Sequence, residues 1–269
     1  MSDAETKGAN PNAKFTPRVF SGIQPSGGLT LGNYLGALKR FVAKQDEGIE
    51  TIYCLVDLHA ITVWQDPADL RRATRELCAG FIASGLDPEK SILINQSQVP
   101  EHAELHLLLS MVTPMGWLER QPTYKEQQDK LADKDLSTYG FLGYPLLQTA
   151  DILIYKAGNV PVGADQVPHI ELSREIARRF NHLYGKEPGF EEKAHQAIKK
   201  MGKKNARLYQ NLLRAYQEEG DAEALAKGHA LVEGQASVSI SDKERLFGFL
   251  EGGGKVILPE PQALLTPIS

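Results

Sequence analysis

The residues best suited to grip a phosphate lie together near the start of the chain, in Gly22-Ile23-Gln24-Pro25-Ser26-Gly27-Gly28-Leu29-Thr30-Leu31-Gly32-Asn33-Tyr34. The stretch follows a short apolar run, Arg18-Val19-Phe20, and opens onto a helical pattern from Leu35 to Val42. Strand, glycine-rich loop and helix start, in that order, present backbone N–H groups to an anion. No Gly-Lys-Ser/Thr closes the loop, so it is not a P-loop, and it does not match the G-x-G-x-x-G dinucleotide fingerprint. Taken alone, the loop reads equally well as a structural glycine turn.

Three further blocks carry polar groups where chemistry could use them. In Val56-Asp57-Leu58-His59-Ala60-Ile61-Thr62, Asp57 and His59 stand just past an apolar run, Thr51 to Val56, which predicts a buried parallel strand. Ligands of open α/β sheets bind at such carboxyl ends; a helix-capping Asp with a structural His is the competing reading. In Tyr144-Pro145-Leu146-Leu147-Gln148-Thr149-Ala150-Asp151, helical spacing puts Tyr144, Gln148 and Asp151 on one face. A carboxylate among so many apolar residues needs a partner, because an unpaired buried charge is costly. That partner is either an Arg elsewhere or a ligand donor. In Val160-Pro161-Val162-Gly163-Ala164-Asp165-Gln166, Gly163 permits close backbone approach to a ligand, and Asp165 suits either ribose hydroxyls or a plain helix N-cap.

In this order the four blocks resemble the tryptophanyl-tRNA synthetases, class I aminoacyl-tRNA synthetases. The likeness is strong over residues 18–184 and weak from Asp242 onward. Thr30-Leu31-Gly32-Asn33 resembles that group's variant of the His-Ile-Gly-His signature; the sister tyrosyl enzymes carry His at the position of Asn33. The resemblance implies that Gln24, Pro25, Ser26, Gly32 and Asn33 line an ATP site, with Gly163, Ala164 and Asp165 at the adenosine. It implies catalytic roles for Thr30, in place of the first His, for Asn33, and for Lys125 at the phosphates. Asp151 would accept the indole N–H of tryptophan, and His59, Tyr144, Gln148 and Gln166 would frame the amino acid. ATP as substrate with Mg²⁺, tRNA(Trp) as partner, a homodimer and no protein metal site are also implied. Two departures stand out: Gln148 where many members have Met, and Ala164 where a Glu is common.

The family's Lys-Met-Ser-Lys-Ser loop has no clear match. Lys200-Met201-Gly202-Lys203-Lys204 is the nearest string, and it sits between two helical runs, which reads as a basic turn. The expectation is therefore a chain truncated before that loop. Such a chain would be a tryptophan–tRNA ligase, or a synthetase-like module or fragment that binds tryptophan or ATP without full ligase activity. A nucleotidyltransferase of the same superfamily is a further rival, disfavoured by the Asp151 and Gly163 blocks.

The elements that must position these residues follow from patterning. Short strands at Val19-Phe20, 51–56, 91–94 and 160–162 alternate with helical stretches at 67–84, 144–155 and about 166–180. Asp66, Pro67 and Gly85 punctuate the first of these helices. This alternation predicts an α/β fold, a Rossmann-like doubly wound parallel sheet with a helical insertion. Residues 100–131 read as an irregular helical stretch between the halves of the sheet. The expected organisation is a disordered tail (1–14), a catalytic domain (15–186), a helical insertion (187–250), and a returning strand at Val256-Ile257-Leu258 within 251–269. The chain of 269 residues is 42% hydrophobic and 24% charged with a net charge of −4, which is ordinary for a soluble protein and shows no global basic excess. Cys54 and Cys78 sit in apolar runs and read as free thiols. With no apolar signal or spanning segment in the sequence, the expected location is the cytoplasm, with no membrane.

Overall fold

The structure, a computed structural model, describes residues 15–63, 65–122 and 138–265. The expected tail at 1–14 and the candidate Lys125 lie outside the described residues. The described chain packs as two compact units. One holds Pro17–Ile176 with the strand Gln262–Leu265, the other Ala177–Glu260.

The first unit is built on five strands: β1 (Arg18–Ile23), β2 (Glu50–Leu55), β3 (Ile92–Asn95), β4 (Asn159–Val162) and β5 (Gln262–Leu265). Their order is β3-β2-β1-β4-β5 and every pairing is parallel, the doubly wound sheet expected. Alternate side chains of β2 feed opposite faces. Ile52 and Cys54 pack with Phe20, Ile152, Val160 and Ile170. Tyr53 and Leu55 pack with Leu38, Phe41, Leu77 and Phe81. Both faces are covered, which is why β2 reads as a continuous apolar run. The topology reverses between β1 and β4, where Ser21 Oγ donates to the Pro161 carbonyl at 3.2 Å. In this class of sheet the crevice at the carboxyl ends of such neighbours is where ligands bind.

Local signals set the helix ends. The Asp66 carboxylate accepts from the N–H groups of Ala68 and Asp69, and Pro67 opens the Pro67–Ala83 helix. Thr30 caps the helical run that starts at Leu31, which passes through a π-helical segment (Tyr34–Leu38) before Lys39–Asp46. The expected helices at 144–155 and 166–180 are Tyr144–Ile154 and Val167–Tyr184.

The second unit is helical. Phe190–Lys200, Lys203–Glu219, Ala222–Glu233 and Ile240–Leu250 close around Ala197, Ile198, Tyr209, Val232, Leu246 and Phe247. The Lys200–Lys204 string is the turn between two of these helices. Gly202, at φ 80°, makes the turn, and Lys200 Nζ pairs with Asp242 at 2.7 Å.

The expected strand at Val256-Ile257-Leu258 is not one; the fifth strand begins at Gln262. Burial explains the apolar run instead. Val256 packs into the helical core, and Asn181 satisfies the local backbone. Asn181 Oδ1 accepts from the N–H groups of Ile257 and Leu258, and its Nδ2 donates to the Leu258 carbonyl, all at 2.9 Å. A side chain thus takes the bonds a neighbouring strand would have made. Among the described residues, no helix is long and apolar enough to cross a membrane.

Candidate functional site

A cavity of about 270 Å³ opens at the switch between β1 and β4. Phe20, Ser21 and Gly22 of β1, with Gln24 just beyond, form one side. Val160 to Gly163, with Gln166, form another, and His59, Tyr144, Gln148 and Asp151 complete the wall. Seven candidates from the sequence, Gln24, His59, Tyr144, Gln148, Asp151, Gly163 and Gln166, are thereby brought to one space.

Asp151 decides the electrostatics. It is 1% exposed, on the Tyr144–Ile154 helix. No Arg answers it. Its Oδ1 accepts from His102 Nδ1 at 2.6 Å and Gln96 Nε2 at 2.8 Å, and its Oδ2 from His59 Nε2 at 2.9 Å and Gln96 Nε2 at 2.9 Å. Burial pushes the carboxyl's pKa up, but the hydrogen bonds from His102 and then His59 outweigh it, so Asp151 is held below the usual carboxylate range. The group is an ionised acceptor, and these contacts use the roughly four lone-pair positions a carboxylate offers.

Gln96 is the joint of this arrangement. It lies wholly buried in a 3₁₀ turn, Gln96–Gln98, at the end of β3. Its Oε1 accepts from the N–H groups of Leu58 (3.0 Å) and His59 (3.3 Å) at the start of the Asp57–Ala60 turn of helix. With that end fixed, Nε2 must face Asp151. Asp57 does not cap its own helix. Its oxygens accept from Ser97 N–H at 2.9 Å and Ser97 Oγ at 2.5 Å, which locks the same 3₁₀ turn from the other side. The carboxyl ends of β2 and β3 are thus clasped together behind Asp151.

The remaining wall groups are equally constrained. The rings of His59 and Tyr144 lie 4.4 Å apart. Burial, reinforced by the charges of Asp151 and Asp165, pushes the Tyr144 hydroxyl up to about 12, so it stays a phenol. Burial also lowers His169 to about 4, which makes it a neutral imidazole. Its Nδ1–H donates to Gln148 Oε1 at 2.8 Å and leaves the Gln148 amide N–H₂ as the group to present.

Thr30 and Asn33 form a capping box. Asn33 Oδ1 accepts from Thr30 N–H at 3.0 Å and Thr30 Oγ1 at 2.7 Å, and Asn33 N–H donates to Thr30 Oγ1 at 3.2 Å. Gly27 sits at φ 87°, a conformation that favours glycine. At Gly163 a Cβ would lie 2.6 Å from Asp165 Oδ1, so the carboxylate of Asp165 can fold over the backbone only because the residue is glycine. Asp165 Oδ2 accepts from Gln166 Nε2 at 2.9 Å. Pro25, Ser26, Thr30, Gly32, Asn33, Ala164 and Asp165 are not in the cavity wall; all but the buried Pro25 reach solvent. Sequence reasoning missed Gln96, His102 and Arg40, the last a wall residue from the helical run after the loop. The polar run Asn95 to Gln98 past a strand end carried the same signal that exposed Asp57 and His59.

Comparison with known proteins covers the stretch of chain that holds this site. The model of the family described as tRNA synthetases class I (W and Y) matches residues 12–217. The chain belongs to this family. Class I synthetases related to it include the tryptophan–tRNA ligase of Ralstonia nicotianae, 57% identical over 256 residues, 95% of this chain and 64% of that protein. The tryptophan–tRNA ligase of Thermotoga maritima is 57% identical over 168 residues, 62% of this chain and 51% of that protein. The chain therefore spans about half to just under two thirds of these relatives' length. Among solved structures, the tryptophanyl-tRNA synthetase of Campylobacter jejuni, complexed with ADP and tryptophan, aligns with a TM-score of 0.58 at 41% identity, covering 61% of this chain and 50% of its own.

Because Asp151 is held below its unfolded value, its contribution to this synthetase-family fold is complete above the ordinary carboxylate pKa of about 3.9 and is lost as pH falls through the lower folded value. Asp151→Asn should be less stable at neutral pH by roughly 1–3 kcal/mol, one buried charged hydrogen-bond group. It should also lose less stability than the parent across that acid window, as read by urea unfolding at successive pH values.

Proposed function

We propose that the chain carries the amino-acid and ATP sites of a tryptophan–tRNA ligase. Such an enzyme joins tryptophan to ATP, forming tryptophanyl-adenylate and pyrophosphate, and passes the tryptophanyl group to tRNA(Trp). The observation that carries the reading is Asp151, an ionised acceptor in a small cavity walled by Tyr144, Val160 and Ile152. An indole N–H is a donor only, so an apolar slot ending in a carboxylate suits it and rejects phenylalanine. The names of the relatives, at 50–57% identity, support tryptophan over other amino acids.

With its acceptor positions filled, Asp151 takes the indole N–H by exchange. His59 is the one of its three partners that also lines the cavity, so its Nε2–H is the donor the indole replaces. Tyr144, Gln148 and Gln166 then border the amino acid. The tryptophan carboxylate attacks the α-phosphorus of ATP and pyrophosphate leaves; a ribose hydroxyl of the tRNA next attacks the carbonyl carbon of the adenylate, and AMP leaves. Neither step needs a protein nucleophile; positioning and charge stabilisation suffice. The loop from Gln24 to Asn33 receives the phosphates. The capping box ties up Asn33 Oδ1, so Asn33 offers its amide N–H₂ to them. Gly163, Ala164 and Asp165 would hold the adenosine, Lys125 would add a cation for the phosphates, and Mg²⁺ arriving with ATP would supply further charge neutralisation. We place this chemistry in the cytoplasm.

The same reading includes a homodimer. Leu107, Leu108 and Met111 share one helix face, at 57%, 60% and 70% exposure. An uncovered apolar strip of this kind marks a protein–protein face. Leu108→Glu should shift the chain toward monomer in sedimentation; an unchanged distribution removes the strip from that role.

Asp151→Ala, shown folded by circular dichroism, should weaken tryptophan binding by roughly 10- to 100-fold, the worth of a hydrogen bond to a charged group. ATP binding should stay within about twofold. Equal losses for both ligands would take Asp151 out of the amino-acid site.

A further inference from the structure

Behind the cavity wall a line of donors runs toward Asp151. His102, on the Glu101–Ser110 helix, is wholly buried and is not part of the wall. Its Nδ1 makes the shortest of the contacts to Asp151, 2.6 Å, and its Nε2 lies 2.8 Å from the hydroxyl of Tyr155. Burial raises the Tyr155 hydroxyl far above its ordinary pKa, so it remains a phenol with a proton to give. The ring of Tyr155 is fixed by stacking on Phe20 at 5.6 Å, and His102 lies against it at 5.3 Å.

The direction of the chain follows from its end. An ionised carboxylate can only accept, so His102 carries its proton on Nδ1 and gives that hydrogen bond to Oδ1. Its Nε2 then accepts from Tyr155 O–H. Two rings are thereby spent on fixing the tautomer and angle of one imidazole, much as outer hydrogen bonds fix metal-bound histidines. His59 has no such support: among the described residues its Nδ1 is buried without a hydrogen-bond partner, so of these residues only Asp151 directs its ring nitrogens. One histidine is held at both ring nitrogens and the other at one.

We propose that His102, oriented by Tyr155, is a positioning residue that holds Asp151 as a fixed, charged acceptor and so sets selectivity for a ring N–H in the cavity. The inference rests on the reading of Asp151 as the indole acceptor. Gln96 holds the same carboxylate from the β3 side; His102 fixes its rotation about the side chain.

The test compares tryptophan with β-(3-benzothienyl)alanine, in which sulfur replaces the ring N–H, by calorimetric titration of the whole chain. The unaltered protein should favour tryptophan by roughly 10- to 100-fold. His102→Leu should cut that preference about tenfold while binding of the sulfur analogue stays within about twofold. His102→Asn, whose Nδ2 can stand where Nδ1 stood, should restore most of it. Tyr155→Phe keeps the stacked ring and removes only the hydroxyl; it should lower the preference a few-fold, and it supplies the answer should His102→Leu not fold. Equal losses for both ligands in His102→Leu would show a merely structural histidine and overturn the proposal, as would an unchanged preference in His102→Leu or Tyr155→Phe. An unaltered protein that does not distinguish the ligands would overturn the reading of Asp151 itself, and this inference with it.

Discussion

A carboxylate at 1% exposure must either take up a proton or be surrounded by donors, because an isolated buried charge costs more than a small domain can spare. Asp151 is surrounded. His59, Gln96 and His102 come from three separate elements, and each reaches it only if the sheet, the 3₁₀ turn after β3 and the Glu101–Ser110 helix are in place. The site is thus a constraint on the fold as much as a product of it. Removing one partner leaves the charge uncompensated, whereas the full set makes it a preorganised acceptor.

The placement of this charge follows from the sheet. Parallel strands covered on both faces leave their carboxyl ends as the accessible edge, and the reversal between β1 and β4 opens a crevice there. Through that crevice, loops from β1, β2 and β4 meet the Tyr144–Ile154 helix. The start of the glycine-rich loop and the carboxylate border one cavity because both hang from the same edge: Gly22 lies near the end of β1 and Gln24 follows it, Gly163 follows β4, and Asp151 lies on the helix that enters β4. The reaction proposed for this chain, between an amino-acid carboxylate and a nucleotide phosphate, needs that adjacency.

Much of this was legible in the residues. Period and punctuation placed β2 and the Pro67–Ala83 helix within a residue, since Asp66, Pro67 and Gly85 act locally. Tyr144, Gln148 and Asp151 came out on one wall because helical spacing is a local rule. What could not be read were partners fixed by packing. Gln96 and His102 lie 55 and 49 positions from Asp151, and nothing in their own neighbourhoods names it. The run Val256-Ile257-Leu258 has strand composition, yet Asn181, 76 and 77 positions away, supplies its hydrogen bonds and the helical core takes its apolar side chain. Asn33 was recognised as part of a signature, but its bond to Thr30, which decides which end of the amide is available, is a matter of side-chain geometry.

The central claim is that hydrogen bonds outweigh burial at Asp151. Carboxyl ¹³C shifts of aspartate-labelled protein, followed with pH, measure this directly, with the Asp151 signal identified by its loss in Asp151→Asn. The account predicts that this signal keeps its ionised position while exposed aspartates titrate near the ordinary value of about 3.9. A signal that takes up its proton at or above that value would show that burial wins and would contradict the account.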